Sequence, residues 1–358
     1  IRLSLVGSEM CIRDRHERTR LDNDRTLLPK LAAIKSGSDL ESLERFAKAY
    51  LGMFLDIDNN IPSHERIYIL ANEELAEGVK AGFGAVLDRH VFPDEVTIAD
   101  SMLSEEQLPI GYVLLAALDL YADDPRLAAD KLPANALRAA ICFHYAYKTE
   151  MQDKWFAEVL LERQADAAQA LSAFWLQLIA TESDHLPGLY HIISHSRYDA
   201  ISEQVVLPVL RNIRHCRKAV LRDLLHAALR VADHEELYAL CETALDIWPA
   251  AQPAYYIPWL ATAFLLHPDK YAMLLTDYCG RSKEKILPLL DFAVMVLMTD
   301  AEERLHASAD TFALLLRIIA PKFTPQQDRY GNPCDNTQKV LYLFYRLATA
   351  TDADAASA

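Results

Sequence analysis

The chain has 358 residues, a formal net charge of −15 and a hydrophobic content of 52%. This hydrophobic content is high enough to bury a core, which excludes the class of intrinsically disordered proteins. The strong negative charge excludes a general electrostatic affinity for nucleic acid or anionic lipid, so binding to either would need a local concentration of basic residues.

The composition predicts an all-α fold. Alanine and leucine, which favour helices, dominate the chain, and only 10 glycines and 16 prolines are available for tight turns. No segment shows the alternation of apolar and polar residues that is typical of a strand. The longest apolar stretch, residues 244–266, contains Asp246, Gln252 and three prolines, so we expect no membrane-spanning helix there.

The six cysteines are scattered, and no two of them form a Cys-x-x-Cys pair. Several are surrounded by apolar residues, which is typical of reduced thiols in a core and indicates a cytoplasmic protein. The cysteines are Cys11, Cys142, Cys216, Cys241, Cys279 and Cys334.

The first segment, residues 1–35, is predicted to be artefactual or disordered. Its letters SLVGSEMCIRDR, residues 4–15, resemble the translated sequencing-adapter read-through found in metagenomic assemblies. A genuine but poorly structured extension is the alternative. We therefore base no fold prediction on residues 1–15, and we expect the protein to be a fragment of a longer one.

An array of amphipathic helices is predicted over residues 36–320. Ser38-x-x-Glu41 has the spacing of a capping box, and apolar residues recur after it at three- and four-residue intervals. Most of the later predicted helices have the length of paired helices in a solenoid, which predicts an irregular HEAT-like α-solenoid of stacked helix pairs. The predicted helices are 64–89 with a break near Asn72, then 109–122, 133–147, 152–163, 166–181, 186–196, 200–213, 217–232, 234–246, 254–266, 268–279, 283–298 and 309–319.

Leu-Pro-x-Leu quartets recur along this array. A proline in the first turn of a helix is favourable because its missing N–H would be unpaired there, so the quartets are predicted to mark helix starts. Pro208 is the exception, because it lies deeper in its helix and is expected to kink it. The quartets and their variants are Leu108-Pro109-Ile110, Leu186-Pro187-Gly188-Leu189, Leu207-Pro208-Val209-Leu210, Ile257-Pro258-Trp259-Leu260 and Leu287-Pro288-Leu289-Leu290.

Two segments follow the array. Residues 321–336 are rich in proline and asparagine, and loops of that length are often functional or mobile. Residues 337–358 are predicted to form a final helix and a truncated or disordered tail.

Nucleotide sites are not predicted. The chain has no Gly-x-x-x-x-Gly-Lys-Ser/Thr phosphate loop, so ATP binding by these residues is not supported. Gly78, Gly82 and Gly84 lie in a helical stretch and follow no strand, so close helix packing explains them better than a dinucleotide site. We expect no catalytic residue and no cofactor in this part of the protein.

Histidines are the best candidates for a metal site. His191 and His195 are four residues apart, hence on one face of a predicted helix, and Asp184 and His185 precede that helix. A zinc hydrolase built on His185, His191 and His195 is therefore one alternative. The competing interpretation is that these residues are partly exposed polar positions and helix caps.

A basic strip is predicted in the acidic chain, and Asp223 is the one acidic residue within residues 211–230. Such a strip could bind phosphate groups of a nucleic acid or nucleotide, or an acidic neighbouring domain. Alternatively, its charges pair with acids from adjacent repeats. His215 and His226 would add charge when protonated. The basic strip consists of Arg211, Arg214, Arg217, Lys218 and Arg222.

The chain also shows a resemblance to a known protein family over residues 62–350, and six segments carry it. The chain resembles the helical-repeat region of large bacterial P-loop NTPases of the NACHT or related STAND type. The resemblance implies a P-loop module upstream and further helical repeats downstream. The segments are HERIYILANEELAEGVKAGF (64–83), LRAAICFHYAY (137–147), HLPGLYHIISH (185–195), LLHAALRVADHEELYAL (224–240), WLATAFLLHPDKY (259–271) and LLLRIIAPKFTP (314–325).

The resemblance further implies a function. Proteins of this type sense a ligand on their repeats and couple it to nucleotide-driven assembly, often in antiphage defence. We therefore expect a non-catalytic sensor or interaction region, whose partner is another protein or a neighbouring domain of the same polypeptide. The alternatives are a free-standing adaptor or scaffold protein and the all-α metal-dependent hydrolase.

Overall fold

The computed structural model describes residues 2–89, 91–122, 131–147, 154–298, 308–323 and 335–357. Within these ranges every regular element is a helix and no strand occurs, which confirms the prediction of an all-α chain. The chain divides into two compact units, residues 1–181 and residues 182–358. No helix among the described residues is long and apolar enough to cross a membrane.

The first unit contains ten α-helices in its described part, and a short 3-10 turn over Leu28–Lys30 joins the first two. One of the ten, α6, was missed by the sequence analysis, although Asp94 caps it by accepting a hydrogen bond from the Thr97 amide. The helices are α1 (Arg2–Leu27), α2 (Leu31–Lys35), α3 (Leu40–Tyr50), α4 (Ser63–Leu70), α5 (Glu73–Leu87), α6 (Glu95–Leu103), α7 (Pro109–Leu120), α8 (Ala134–Ala146), α9 (Lys154–Glu162) and α10 (Gln164–Ala180).

The start of α3 differs by one residue from the predicted capping box. Asp39, not Ser38, caps the helix, because its carboxylate accepts a hydrogen bond from the Ser42 amide at 3.2 Å. The Ser38 hydroxyl donates backward to the Ala33 carbonyl instead. An N-cap side chain must face the amides of the first turn, so the residue immediately before Leu40 takes this place.

The last part of the segment predicted to be artefactual or disordered contacts later helices. Ile34 is fully buried, and α2 packs against α5. Asn23 is buried and donates a hydrogen bond to the Leu70 carbonyl at 2.8 Å. The packed array therefore begins before residue 36.

Two glycines of α5 permit this contact. A Cβ atom at Gly82 would lie 2.2 Å from the Ile34 carbonyl oxygen, and one at Gly78 would lie 2.3 Å from the Leu31 side chain. At Gly82 only glycine lets the two backbones approach so closely, whereas at Gly78 the contact is with the end of a leucine side chain. The predicted role of Gly78 and Gly82 in close helix packing is confirmed.

The second unit contains nine α-helices in its described part, and 3-10 turns cover Ser196–Tyr198 and Ala320–Lys322. The predicted helix over 186–196 is wrong in extent, since only a short α11 forms there and the chain turns at Ser194. The helices are α11 (Leu189–Ile193), α12 (Asp199–Asn212), α13 (Lys218–Val231), α14 (His234–Ile247), α15 (Pro253–Leu266), α16 (Pro268–Cys279), α17 (Lys283–Met298), α18 (Ala309–Ile319) and α19 (Asp335–Ser357).

In this unit, helices that are two apart along the chain pack against each other. Helices α13, α15, α17 and α19 contact one another in sequence, while α14 packs against α15 and α16 against α18. Trp259, Phe264 and Phe292 are among the fully buried side chains that fill the space between them. The segment 324–334 of the predicted loop lies outside the described residues, and α19 begins two residues before the predicted boundary at 337.

The quartets do not all mark helix starts. Pro109 occupies the first turn of α7, as predicted, and Pro187 precedes α11. Pro258 and Pro288 instead lie inside α15 and α17, which begin five residues earlier, and Pro208 lies inside α12 as expected. The prediction is wrong for Pro258 and Pro288 because residues upstream of them, including Pro253, already form the first turn.

We predict that Gly82→Ala destabilises the first unit by about 1–3 kcal/mol, because the new methyl group meets a backbone oxygen that cannot move without shifting α2. Gly84→Ala is the matched control in the same helix, since its Cβ would meet only Tyr121 side-chain atoms at 3.3 Å and beyond. The free energy of unfolding, measured in urea, should fall for the first variant and stay within about 1 kcal/mol of the wild type for the second. Equal stabilities would contradict the packing of α2 on α5.

Candidate functional site

The basic strip lies around the connection between α12 and α13 in the second unit. Arg211 is in the last turn of α12, Arg214 and Arg217 are in the connection, and Lys218 is the first residue of α13. Arg222 follows one turn later. A cation at the carboxyl end of a helix is favourable, whereas Lys218 at the amino end of α13 faces the positive pole of the helix dipole.

Three members of the strip pair with acids. Arg211 Nη2 lies 2.8 Å from Glu236 Oε2 on α14, and Arg222 Nη2 lies 3.4 Å from Asp223 Oδ1. Arg217 lies 3.6 Å from a carboxylate oxygen of Glu182 and also donates to the Glu182 backbone carbonyl. Arg211 and Arg217 thus pair with acids outside the strip, whereas Arg222 pairs with its own neighbour in the sequence. The exposed pairs of Arg211 and Arg217 contribute at most about 1 kcal/mol each.

Arg214 and Lys218 differ from the other three. In the part of the chain that the structure describes, neither of them lies within ion-pair distance of a carboxylate. Arg214 Nη1 donates to the backbone carbonyls of Arg211, at 3.0 Å, and Ile213, at 3.3 Å. These carbonyls at the end of α12 lack helical partners, so the guanidinium caps the helix while its charge stays uncompensated.

A groove of about 450 Å³ opens beside Arg211 and Arg214. Its second wall is one face of α14, where the lining residues recur at intervals of three and four along the helix. Such spacing places side chains on a single stripe. The lining residues are Leu210, Arg211, Ile213, Arg214, Glu236, Ala239, Leu240, Thr243, Ala244, Ile247, Trp248 and Trp259.

Two tryptophans form part of the groove lining. Trp248 follows α14 and stacks on Tyr255, with ring centroids 5.4 Å apart. Trp259 of α15 is 1% exposed, and its indole nitrogen is buried with no hydrogen-bond partner among the described residues. An indole N–H is a donor only, and leaving a buried donor unpaired costs about 1–3 kcal/mol.

This groove is not visible in the sequence. Its residues come from α12 and the connection after it, from α14 and the residue after it, and from α15, and only packing brings them together. A partial signal was present, because the quartets 207–210 and 257–260 contribute Leu210 and Trp259 to the lining.

The two histidines near the strip behave differently from one another. His215 is exposed, but His226 is 3% exposed on α13. Burial, together with the charges of Arg230 and Arg222, lowers the pKa of His226 to about 4. His226 is therefore neutral at neutral pH and does not add charge to the strip, contrary to the expectation.

The predicted metal ligands come together only in part. The rings of His191 and His195 lie 5.9 Å apart, and both contact Tyr198. No group of three His, Cys, Asp or Glu side chains placed to hold a metal ion occurs among the described residues, so His185 does not complete the set. Burial is the main cause that lowers the pKa of His191.

We predict that His226 makes the protein less stable in mild acid. Its pKa is about 4 in the folded chain against 6.5 when unfolded, so its stabilising contribution is complete above pH 6.5 and is lost as the pH falls towards 4. The loss between pH 7.5 and pH 5 is about 2 kcal/mol. Urea unfolding of His226→Leu should lack this part of the pH dependence, whereas the exposed control His215→Leu should keep it. Identical pH profiles for the wild type and His226→Leu would contradict the assignment.

Comparison with known proteins returned no similar protein: no family model, curated sequence or solved structure matches this chain.

Proposed function

We propose that this chain is a non-catalytic helical-repeat interaction region that binds an acidic segment of a partner protein or neighbouring domain. The proposed architecture is an irregular HEAT-like solenoid of stacked helix pairs. The contacts of the second unit support it, because alternate helices from α13 to α19 touch in sequence while α14, α16 and α18 alternate with them along the chain. Stacked repeats of this kind present extended binding surfaces.

The observation that carries the proposal is the uncompensated charge of Arg214 and Lys218. In a chain of net charge −15, the described carboxylates do not pair with these two neighbouring cations. An acidic partner segment would supply the missing negative charge, and it would meet the three arginines beside them as well. Complementary charge of this kind accelerates association and selects the partner.

The resemblance to bacterial NACHT and STAND proteins supports a place for this region within a larger signalling or defence NTPase in the cytoplasm. On that basis, binding of the partner at the strip changes the conformation of the helical array. This change signals to an NTPase module that the partner is bound. The region itself contributes no catalytic residue and no cofactor site in this proposal.

We predict that reversing three charges of the strip weakens binding of an acidic peptide. The variant Arg214→Glu/Lys218→Glu/Arg222→Glu should bind a fluorescent glutamate-rich peptide at least about tenfold more weakly than the wild type, since 1.4 kcal/mol is a factor of ten in Kd. Fluorescence anisotropy at low salt measures the affinity, and circular dichroism checks that helicity is unchanged.

The matched control reverses three exposed cations of the first unit, Lys30, Lys35 and Arg45. It changes the net charge equally and should leave the affinity within about twofold of the wild type, a change of less than 0.5 kcal/mol. Equal loss in both variants would show that net charge alone decides binding and would contradict the proposal. Tighter binding of a short single-stranded DNA than of the peptide would overturn the assigned class of partner.

A further inference from the structure

We propose that the groove between α12 and α14 of one copy of this chain binds the loop over residues 51–62 of a second copy. This inference deepens the proposed function, on which it rests, by naming the acidic segment that meets the strip. The loop carries a fully exposed leucine, Leu55, and two acidic residues directly after it, Asp56 and Asp58. An apolar groove with unpaired cations beside it is the surface that such a loop fits.

The loop is held in one conformation by its own chain. Arg66 is buried, and its guanidinium donates to three backbone carbonyls, at 3.0, 2.8 and 2.9 Å. Ile57 is also buried, and its amide closes a turn over residues 54–57 by donating to the carbonyl that begins the turn, at 3.1 Å. A loop that is already ordered loses little entropy when it binds. The three carbonyls that Arg66 contacts belong to Tyr50, Asn59 and Ile61.

Leu55 stands at the corner of this turn and is fully exposed, and Met53 beside it in the sequence is exposed as well. Turn corners usually carry polar residues, glycine or proline, because their side chains face water. A leucine that buries no surface in its own chain gains stability only when a partner covers it. The loop therefore presents an apolar anchor on a rigid backbone.

The groove offers the apolar surface that matches this anchor. Ile247 on its α14 wall is 53% exposed, and Ile213, Leu240 and Trp248 line the same groove. The apolar anchors of protein interfaces characteristically fill pockets on the partner, and a groove of about 450 Å³ has room for side chains of the loop. Leu55 placed against Ile247 would remove both side chains from water.

The charges of the two surfaces are complementary. The Asp58 carboxylate accepts hydrogen bonds from the backbone and side-chain amides of Asn60, but no cation among the described residues lies within ion-pair distance of it. Asp56 has only a histidine nearby, at 3.5 Å. Arg214 and Lys218 are the cations of the strip that the described carboxylates leave unpaired. Contact between the loop and the strip would compensate both sets of charges, which favours this pairing over others.

The test is sedimentation velocity of the full chain at low salt over a range of concentrations. The wild type should form species that grow with concentration, because a contact between two different surfaces leaves one of each free on every open assembly. Leu55→Asp alters the loop and Ile247→Asp alters the groove. Each should weaken self-association at least about tenfold, because a charge enters the apolar contact. An equimolar mixture of the two variants should form a heterodimer, since one keeps an intact groove and the other keeps an intact loop.

Two matched controls place the same charge on other exposed apolar residues. Val91→Asp is the control in the first unit and Met273→Asp the control in the second, and neither residue belongs to the loop or lines the groove. Both controls should assemble as the wild type does, and circular dichroism checks that all four variants keep their helicity. Equal loss of assembly in the controls would show general apolar adhesion and would overturn the inference.

The outcomes distinguish this inference from the proposed function. If the wild type stays monomeric at every concentration while the glutamate-rich peptide binds the strip, the loop contact is wrong and the interaction surface stands. If the wild type assembles but the mixture of Leu55→Asp and Ile247→Asp does not, the copies meet through other surfaces and the loop contact is again wrong. If the chain assembles with the predicted pattern but the peptide fails to bind, the loop contact stands and an acidic partner other than the chain itself is wrong.

Discussion

The second unit depends on how it accommodates prolines inside its helices. Pro208, Pro258 and Pro288 each lack the N–H that would bond to the carbonyl four residues before, and a proline ring at such a place kinks or loosens a helix. One turn later, Asn212 and Thr262 each donate to the carbonyl of the proline itself at 2.7 Å. These bonds hold the following turn, but they do not replace the missing bond to the carbonyl four residues before the proline. The residues that line the groove on α12 and α15 follow directly after two of these prolines. Two of the three helices that contain an internal proline therefore contribute residues to the candidate site.

Much of the fold follows from local sequence. The helices α16, α17 and α18 have the predicted limits, because proline, polar residues and apolar periodicity define both ends of each segment. Gly82 was assigned correctly, since a glycine inside a helix without a nucleotide motif indicates close packing. Helix α6 was missed because its nine residues show only a weak apolar stripe. Helix α15 begins one residue before its predicted start at 254, so Pro258 lies inside it and the quartet there does not mark a helix start.

Only the part of the candidate site whose residues are close together in the sequence could be predicted. Arg214 and Lys218 stand close together in the sequence, so their concentration of charge was visible. The partners of Arg211 and Arg217 were not, because Glu236 lies beyond α13 and Glu182 precedes α11. The groove is wholly a product of packing, since no local pattern shows that one stripe of α14 faces the end of α12. The unpaired nitrogen of Trp259 is likewise a property of its surroundings and not of its residue type.

The strip and the groove together describe a surface that recognises negative charge within an acidic protein. The most direct measurement of this claim is a crystal structure of the chain with a bound glutamate-rich peptide. The account predicts peptide carboxylates within ion-pair distance of Arg214 and Lys218, the two cations that the described carboxylates leave unpaired. A peptide that binds elsewhere on the chain, or whose carboxylates contact neither Arg214 nor Lys218, would contradict it.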